Sequence, residues 1–339
     1  MHSKTSIRWA VLLMLLVVLF LLNLSLGSVQ IPVGEIFKIL TGKPASDPVW
    51  AEIIWDFRMT KAITCILGGS ALALGGLQMQ TLFRNPLAGP DVLGLSSGAS
   101  LMVSLVFMSN AAGVTLFVIQ SPWTVAIAAS IGCSLVFIIM LAISQRLQDN
   151  VSLLIVGLMV GAGTASIVSV LQYLSKAEEL QVYVLWTFGS LGGLDWNEIR
   201  VLSVILIAGA AISFFNIKSL NAWLLGNNYA QSLGVDLQRS RFYAILSASI
   251  LTGGVTAFCG PIAFVGLAVP HLVKLLIQSH NHKVLIPAVL IGGAALLLGC
   301  DILAQLPGSI NVLPINAITA LIGAPVVIWV ILRNKVVRS

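Results

Sequence analysis

Gly94-Leu95-Ser96-Ser97-Gly98 has the G-x-S-x-G spacing of a hydrolase nucleophile elbow, in which a sharp turn presents a serine to a carbonyl. That chemistry needs a base within hydrogen-bond reach of the serine and a third group to orient the base. The histidines are His2, His271, His280 and His282, and only His271 falls beside an apolar run. No carboxylate lies in a neighbouring run to orient it; Asp301 sits toward the far end of its own. His280-Asn281-His282 sets two imidazoles two residues apart, but a structural or catalytic metal asks for at least a third ligand. That triplet reads as a solvated loop. Cys65, Cys133, Cys259 and Cys300 show no C-x-x-C spacing and fall within or beside apolar runs, so they read as small packing residues. Neither a catalytic set nor a metal set assembles.

The elements that must carry these residues are set by composition. The chain has 339 residues, 58% of them hydrophobic and 9% charged, with a mean hydropathy of +1.01. A soluble domain carries about a quarter charged residues, so this chain lacks the surface a soluble fold needs. Apolar runs of about 17 to 25 residues match the thickness of the hydrocarbon core. They are Ile7–Leu26, Ala62–Met79, Val125–Ile143, Leu153–Leu174, Val201–Phe215, Leu285–Leu303 and Ile315–Leu332, with Val92–Phe107, Ala244–Phe258 and Ile262–Ile277 as three more. The reading is an all-α polytopic membrane protein of ten helices in a single domain, 1–339. Ile7–Leu26 is a retained helix, because its apolar run is long and no A-x-A-like cleavage site follows.

Ten spans put both termini on one side, and the basic residues choose it. Lys4, Arg8, Arg84, Arg146, Lys218, Arg239, Arg241, Lys274, Lys283, Arg333, Lys335 and Arg338 fall on the side of the termini; Lys38, Lys43, Arg58, Lys61, Lys176 and Arg200 fall opposite. Cytoplasmic termini follow. The net charge of +6 is thus a product of topology, and no basic cluster of a nucleic-acid face exists.

Two stretches share one grammar. Gly75-Gly76, Gly89-Pro90 and Gly94-Leu95 are echoed by Gly253-Gly254, Gly260-Pro261 and Gly266-Leu267. In this topology the helix before the first corner runs inward and the helix before the second runs outward. Similar sequence with opposite direction is the mark of an inverted repeat, with halves near 57–175 and 240–333. Small residues let helix backbones approach, so Ser96, Ser97 and Gly98 read as helix packing beside a pathway rather than as a nucleophile.

The segment RNPLAGPDVLGLSSGASL (84–101) resembles the signature of FecCD-type permeases, the transmembrane subunits of iron-siderophore, haem and vitamin B12 ABC importers. WTFGSLGGLDW (186–196), LLGNNYAQSLGV (224–235), CGPIAFVGLAVPHLVKLL (259–276) and LPINAITALIGAPVVIW (313–329) resemble family segments in the family's order. The resemblance implies the ten-helix inverted-repeat fold of type II importers. It also implies a permease dimer, homomeric or with a sister chain, in a bacterial inner membrane. Two cytoplasmic ATPases and an extracytoplasmic substrate-binding protein would complete the importer. The cargo it implies is a metal chelate, with ferric siderophore ahead of haem or cobalamin.

Residue by residue, the resemblance places Leu225, Gly226, Ala230, Leu233 and Gly234 in the ATPase-coupling loop, roughly 217–240. Arg58 and Lys61 fall where the family docks its binding protein through charge. Thr60, Lys61, Gln305, Val312 and Asn316 depart from the family pattern there. Asn150, Val151 and Ser152 fall at the inner gate. Asn85, Pro86, Gly89, Pro90, Gly94, Ser97, Gly98, Gly260, Pro261, Gly266, Pro270 and His271 belong to the signature and packing positions.

The chain contains no G-x-x-x-x-G-K-[ST] P-loop, so it is expected to bind no cofactor itself and to leave ATP and Mg²⁺ to partners. A secondary transporter of similar fold is the competing reading, and it requires ionisable residues inside the spans. An intramembrane hydrolase is the third and lacks its base.

Overall fold

The computed structural model describes residues 2–27, 29, 31–108, 122–147, 150–305 and 312–336. Among the described residues it is helical throughout. The elements are α1 (His2–Ser25), α2 (Val33–Leu40), α3 (Pro48–Glu52), a π-helical stretch (Ile53–Met59), α4 (Thr60–Phe83), a 3₁₀ turn (Pro90–Leu93) and α5 (Leu95–Phe107). Then come α6 (Pro122–Arg146), α7 (Asn150–Leu174), α8 (Ala177–Thr187), α9 (Trp196–Phe215), α10 (Ile217–Trp223) and α11 (Asn227–Ser232). The chain closes with α12 (Leu237–Cys259), α13 (Val265–Ile277), α14 (His282–Ala304) and α15 (Ile315–Val336).

Among the described residues seven of these are long and apolar enough to span a bilayer, and α5, α13 and α15 are shorter apolar helices, so each of the ten expected runs is helical. Two of them begin later than composition suggests. The expected Val92–Phe107 starts at Leu95, because Pro90 opens a 3₁₀ turn that Gly94 ends in the left-handed region at φ 75°. The expected Ile262–Ile277 starts at Val265 behind Phe264, itself left-handed at φ 67°. Each resulting helix has 13 residues, about 20 Å of rise, too short to cross the hydrocarbon core without the unwound corner before it.

Directions follow from contacts at helix ends. The end of α4 meets the loop before α12, where Arg84 binds Trp223 and Trp223 binds Ser240. The start of α4 meets the ends of α1 and α14, through Arg58 to Leu24 and Lys61 to Asp301. So α12 and α14 both run antiparallel to α4. Arg8 of α1 meets Gln278 at the end of α13. Asn316 of α15 meets Phe188 and Ala263. One end of the bundle, here the Arg84 end, therefore gathers the start of α1 and the loops 84–94 and 216–241. The Arg58 end gathers the ends of α1, α12 and α14.

Packing between the halves is exchanged: α4 lies against α13 and α14, while α12 lies against α5 and α6. With α4 and α12 antiparallel, this is what two inverted repeats produce by lending each other a helix. Glycines make the close approaches. A Cβ on Gly69 would fall on the Gly293 carbonyl, and one on Gly76 on that of Gly266. In lipid, where hydrophobic association of helices is weak, such backbone contact is a main source of attraction. All four cysteines are buried and unbridged.

At the Arg58 end, α2 and α3 were not read from the sequence because they are too short to span. Glu35 on α2 binds Lys38 at 2.7 Å and the Ser46 backbone N–H at 3.0 Å. These contacts lower its carboxyl to about 2.

Candidate functional site

The Ser96 reading resolves first. Its hydroxyl donates to Asp91 Oδ1 at 2.5 Å, while His271 lies elsewhere with Nε2 2.7 Å from the Pro86 carbonyl. The motif is a packing device. Gly94 lets α7 approach, with Gly161 N at 3.1 Å and Gly157 O at 3.2 Å from where a Cβ would stand. Gly98 brings in α6, its would-be Cβ 2.5 Å from the Gly132 carbonyl, and Ser97 faces Gly161.

The signature corner also meets the second echo. Gly89 rests on Leu267, Pro90 on Gly266, and Pro86 on His271 one residue past Pro270. Asn85 closes the turn by accepting the Leu87 N–H at 2.9 Å. Gly260 and Pro261 are not brought to this cluster. They lie at the Arg58 end, where Gly260 at φ 73° packs under Trp186 and Gly189, as opposite directions of α4 and α12 require.

At the Arg84 end the loop from α9 to α12 is a fixed base carrying an apolar tip. Trp223 is buried, its indole N–H donates to Ser240 Oγ at 3.0 Å, and Asn216 Nδ2 donates to the Ser240 carbonyl at 3.0 Å. Beyond it Leu224, Leu225, Tyr229 and Leu233 are exposed, while Ala230 is buried beneath α11. Gly226 and Gly234 open and close α11 at φ 118° and 80°, where side chains are strained. Of the expected coupling residues, then, Leu225 and Leu233 face outward and Gly226, Ala230 and Gly234 shape the turn.

His282 corrects an expectation. Rather than lying in a solvated loop it is 1% exposed, because Asn281 caps α14 and turns the imidazole inward. A helix cap one residue before an apolar run was the signal that should have placed it.

At the Arg58 end the two expected docking cations differ. Arg58 is buried: its Nη1 donates to the carbonyls of Leu24 at 2.6 Å and Ser25 at 3.0 Å, and Nη2 donates to that of Val29. It closes the carboxyl end of α1, whose last carbonyls have no intrahelical donors. As placed, Arg58 is a cap, and no free docking charge. Lys61 pairs with Asp301 at 3.3 Å. The same carboxylate oxygen accepts from Asn23 Nδ2 at 2.7 Å and Gln305 Nε2 at 2.6 Å. Gln305 thus stands within the cluster, and Val312 is exposed nearby.

This cluster borders a cavity of about 770 Å³ whose other wall is the segment 189–195. Asn316 ties that wall in place. Its backbone N–H donates to the Phe188 carbonyl at 3.1 Å and its Oδ1 accepts the Ala263 N–H at 3.1 Å. Asp195 and Glu198 cap α9 reciprocally at 2.7 and 2.9 Å.

Of the expected gate residues, Asn150 opens α7, its side chain outside the described residues; Val151 is exposed and Ser152 half-buried. One face of α7 is exposed, with Ile155, Leu158, Met159, Ile167 and Val170 on it, while Leu153, Val168 and Leu171 are buried.

A bundle of ten apolar helices among the described residues, with two unwound corners and an anchored apolar loop, defines a polytopic transport protein. Residues 15–333 match the FecCD transport family, and the chain belongs to it. It is 34% identical over 330 residues to the haemin transport system permease protein HmuU of Yersinia pestis, covering 97% of this chain and 96% of that protein. It is 33% identical over 337 residues to the vitamin B12 import system permease protein BtuC of Klebsiella pneumoniae, covering 99% and 96%. Its fold matches a solved metal-chelate type ABC transporter in an inward-facing conformation with a TM-score of 0.83 at 28% identity, covering 97% of this chain and 99% of the other. The chain is the permease part of an ABC import system.

Proposed function

We propose that this chain forms the translocation pathway of an ATP-driven importer of a metal chelate in a bacterial inner membrane, with the Arg84 end and both termini in the cytoplasm. The carrying observation is the loop 216–241: an apolar tip of Leu224, Leu225, Tyr229 and Leu233, exposed on an element rooted by buried polar contacts. An exposed apolar patch of this kind suits a protein contact. The partner is an ATPase, two per importer, which binds and hydrolyses ATP with Mg²⁺. Basic residues crowd the same end, in keeping with a cytoplasmic face.

The exposed face of α7 receives a second permease chain, and Asn150, Val151 and Ser152 narrow the inner gate at the axis between them. At the Arg58 end a substrate-binding protein docks over the cavity between Lys61 and the 189–195 wall and delivers the cargo. Lys61, with its side chain 18% exposed, is the cation nearest that mouth. A metal chelate is the cargo class common to the names of the relatives and the structural neighbour. Within it we propose a ferric siderophore on the breadth of the family resemblance, with haem and cobalamin as the competing cargoes.

One observation favours a secondary transporter, the Lys61–Asp301 pair at the edge of the spans. The carboxylate is held by Asn23 and Gln305 as well as by Lys61, which suits a staple better than a proton carrier. Uptake separates the readings. Cells lacking the chain are offered labelled ferric siderophore, haemin or cobalamin, and vesicles are energised with ATP or with an ion gradient. ATP-dependent uptake of ferric siderophore is expected. Gradient-driven uptake without ATP would establish the second reading.

A further inference from the structure

His282 stands where the loop 216–241 meets the helix bundle, and its contacts form a closed ring. Asn221 on α10 donates from Nδ2 to Asn281 Oδ1 at 3.1 Å, which turns Asn221 Oδ1 toward His282. That oxygen lies 2.9 Å from the His282 backbone N and 2.8 Å from the ring Nδ1. An amide oxygen only accepts, so Nδ1 carries a proton and donates. The opposite ring nitrogen, Nε2, lies 2.9 Å from the Thr81 hydroxyl on α4. With Nδ1 protonated Nε2 accepts, so the one Thr81 hydroxyl proton serves either Nε2 or the Leu77 carbonyl 2.8 Å away, and Thr81 is buried. Three residues further along, Arg84 grips the Trp223 carbonyl, two residues from Asn221. Asn221, His282, Thr81, Arg84 and Trp223 thus link α10, α14 and α4 in one circuit.

An imidazole suits the node because its two nitrogens point to opposite sides and contact two elements at once. His282 and Thr81 are closed off from water. Moving α10 away would leave polar groups without partners there, which is costlier than carrying the helices along.

We propose that His282 is a positioning residue that transmits displacement of the loop to α4 and α14, joining a partner's motion to the pathway. The assignment rests on the coupling role proposed above for that loop.

The test uses the complete importer, with its own ATPase and binding protein, reconstituted in lipid vesicles. The readout is cargo moved per ATP hydrolysed, alongside the melting temperature of the complex. His282→Ala and Asn221→Ala should each lower that ratio roughly fivefold, the effect of losing one buried hydrogen bond. The double variant should be no lower than either alone, because both break the same link. His282→Asn keeps a donor near the place of Nδ1 and should recover part of the ratio, whereas His282→Leu should recover none. A lowered melting temperature with the ratio unchanged would make His282 merely structural and overturn the inference. If His282→Ala does not assemble, Asn221→Ala, at a half-buried position, decides alone. A wild-type complex that moves no cargo with ATP would refute the coupling reading itself, an outcome separate from any effect of the variants.

Discussion

The Arg84 guanidinium donates to the Trp223 carbonyl twice, from Nε at 3.0 Å and from Nη2 at 2.7 Å. Arg84 reaches it by adopting a left-handed conformation at φ 47°, which ends α4 and swings the side chain across to α10. A non-glycine residue in that region is under strain, and the fork on Trp223 holds it there.

Arg84→Lys keeps the charge and removes the second donor of the fork. Charged hydrogen bonds of this kind contribute about 1.5 kcal/mol, so cargo moved per ATP should fall about tenfold with membrane insertion unchanged. Transport assays on reconstituted complexes check this; equal rates for the two proteins would remove Arg84 from the coupling base.

Gly69 and Gly293 touch through their backbones, and neither has room for a Cβ. Gly69→Leu should destabilise the detergent-solubilised chain by about 3 kcal/mol through overpacking, visible as a lower melting temperature. Gly34 on α2 has open space around it. Gly34→Ala should leave melting unchanged or raise it slightly.

Lys61 and Asp301 are worth more together than apart. Asp301→Ala leaves the Lys61 ammonium facing a buried site, a loss of about 3 kcal/mol, while Lys61→Met combined with Asp301→Leu should recover most of it. Denaturation of the single and double variants measures the coupling. Additive losses would mean the pair is an accident of proximity.

Gly226 and Gly234 differ in a way that sorts their variants. Both carry positive φ, but a Cβ at Gly226 also meets Arg84 Nη2 at 3.3 Å, whereas Gly234 faces open space. Bulky residues at either should uncouple ATP hydrolysis from transport, with Gly226→Val worse than Gly234→Val. The order of the two coupling ratios is the check.

Spans were legible because a bilayer demands long apolar runs, and each of the ten runs found in the sequence is helical among the described residues. The paired Gly-Pro corners pointed to helices of opposite direction, and α4 and α12 do run antiparallel. What escaped reading was anything set by side-chain direction. Arg58 looked like a surface cation, yet the unpaired carbonyls ending α1 draw it inside. His282 looked solvated, yet its place at the first turn of α14 buries it. Asp301 stood out as a lone carboxylate in an apolar run, but of its partners only Gln305 lies close by in the chain, while Asn23 and Lys61 come from two stretches that only the fold brings to it. The short helices α2, α3, α8, α10 and α11 carry no spanning periodicity.

Co-purification tests the central claim most directly. The tagged chain is extracted in mild detergent and whatever accompanies it is identified and quantified by mass spectrometry. A P-loop ATPase is expected in roughly equal amount to permease chains, lost when the exposed leucines Leu225 and Leu233 are both replaced by aspartate. Recovery of the wild-type chain intact, monodisperse and without any ATPase would contradict the claim.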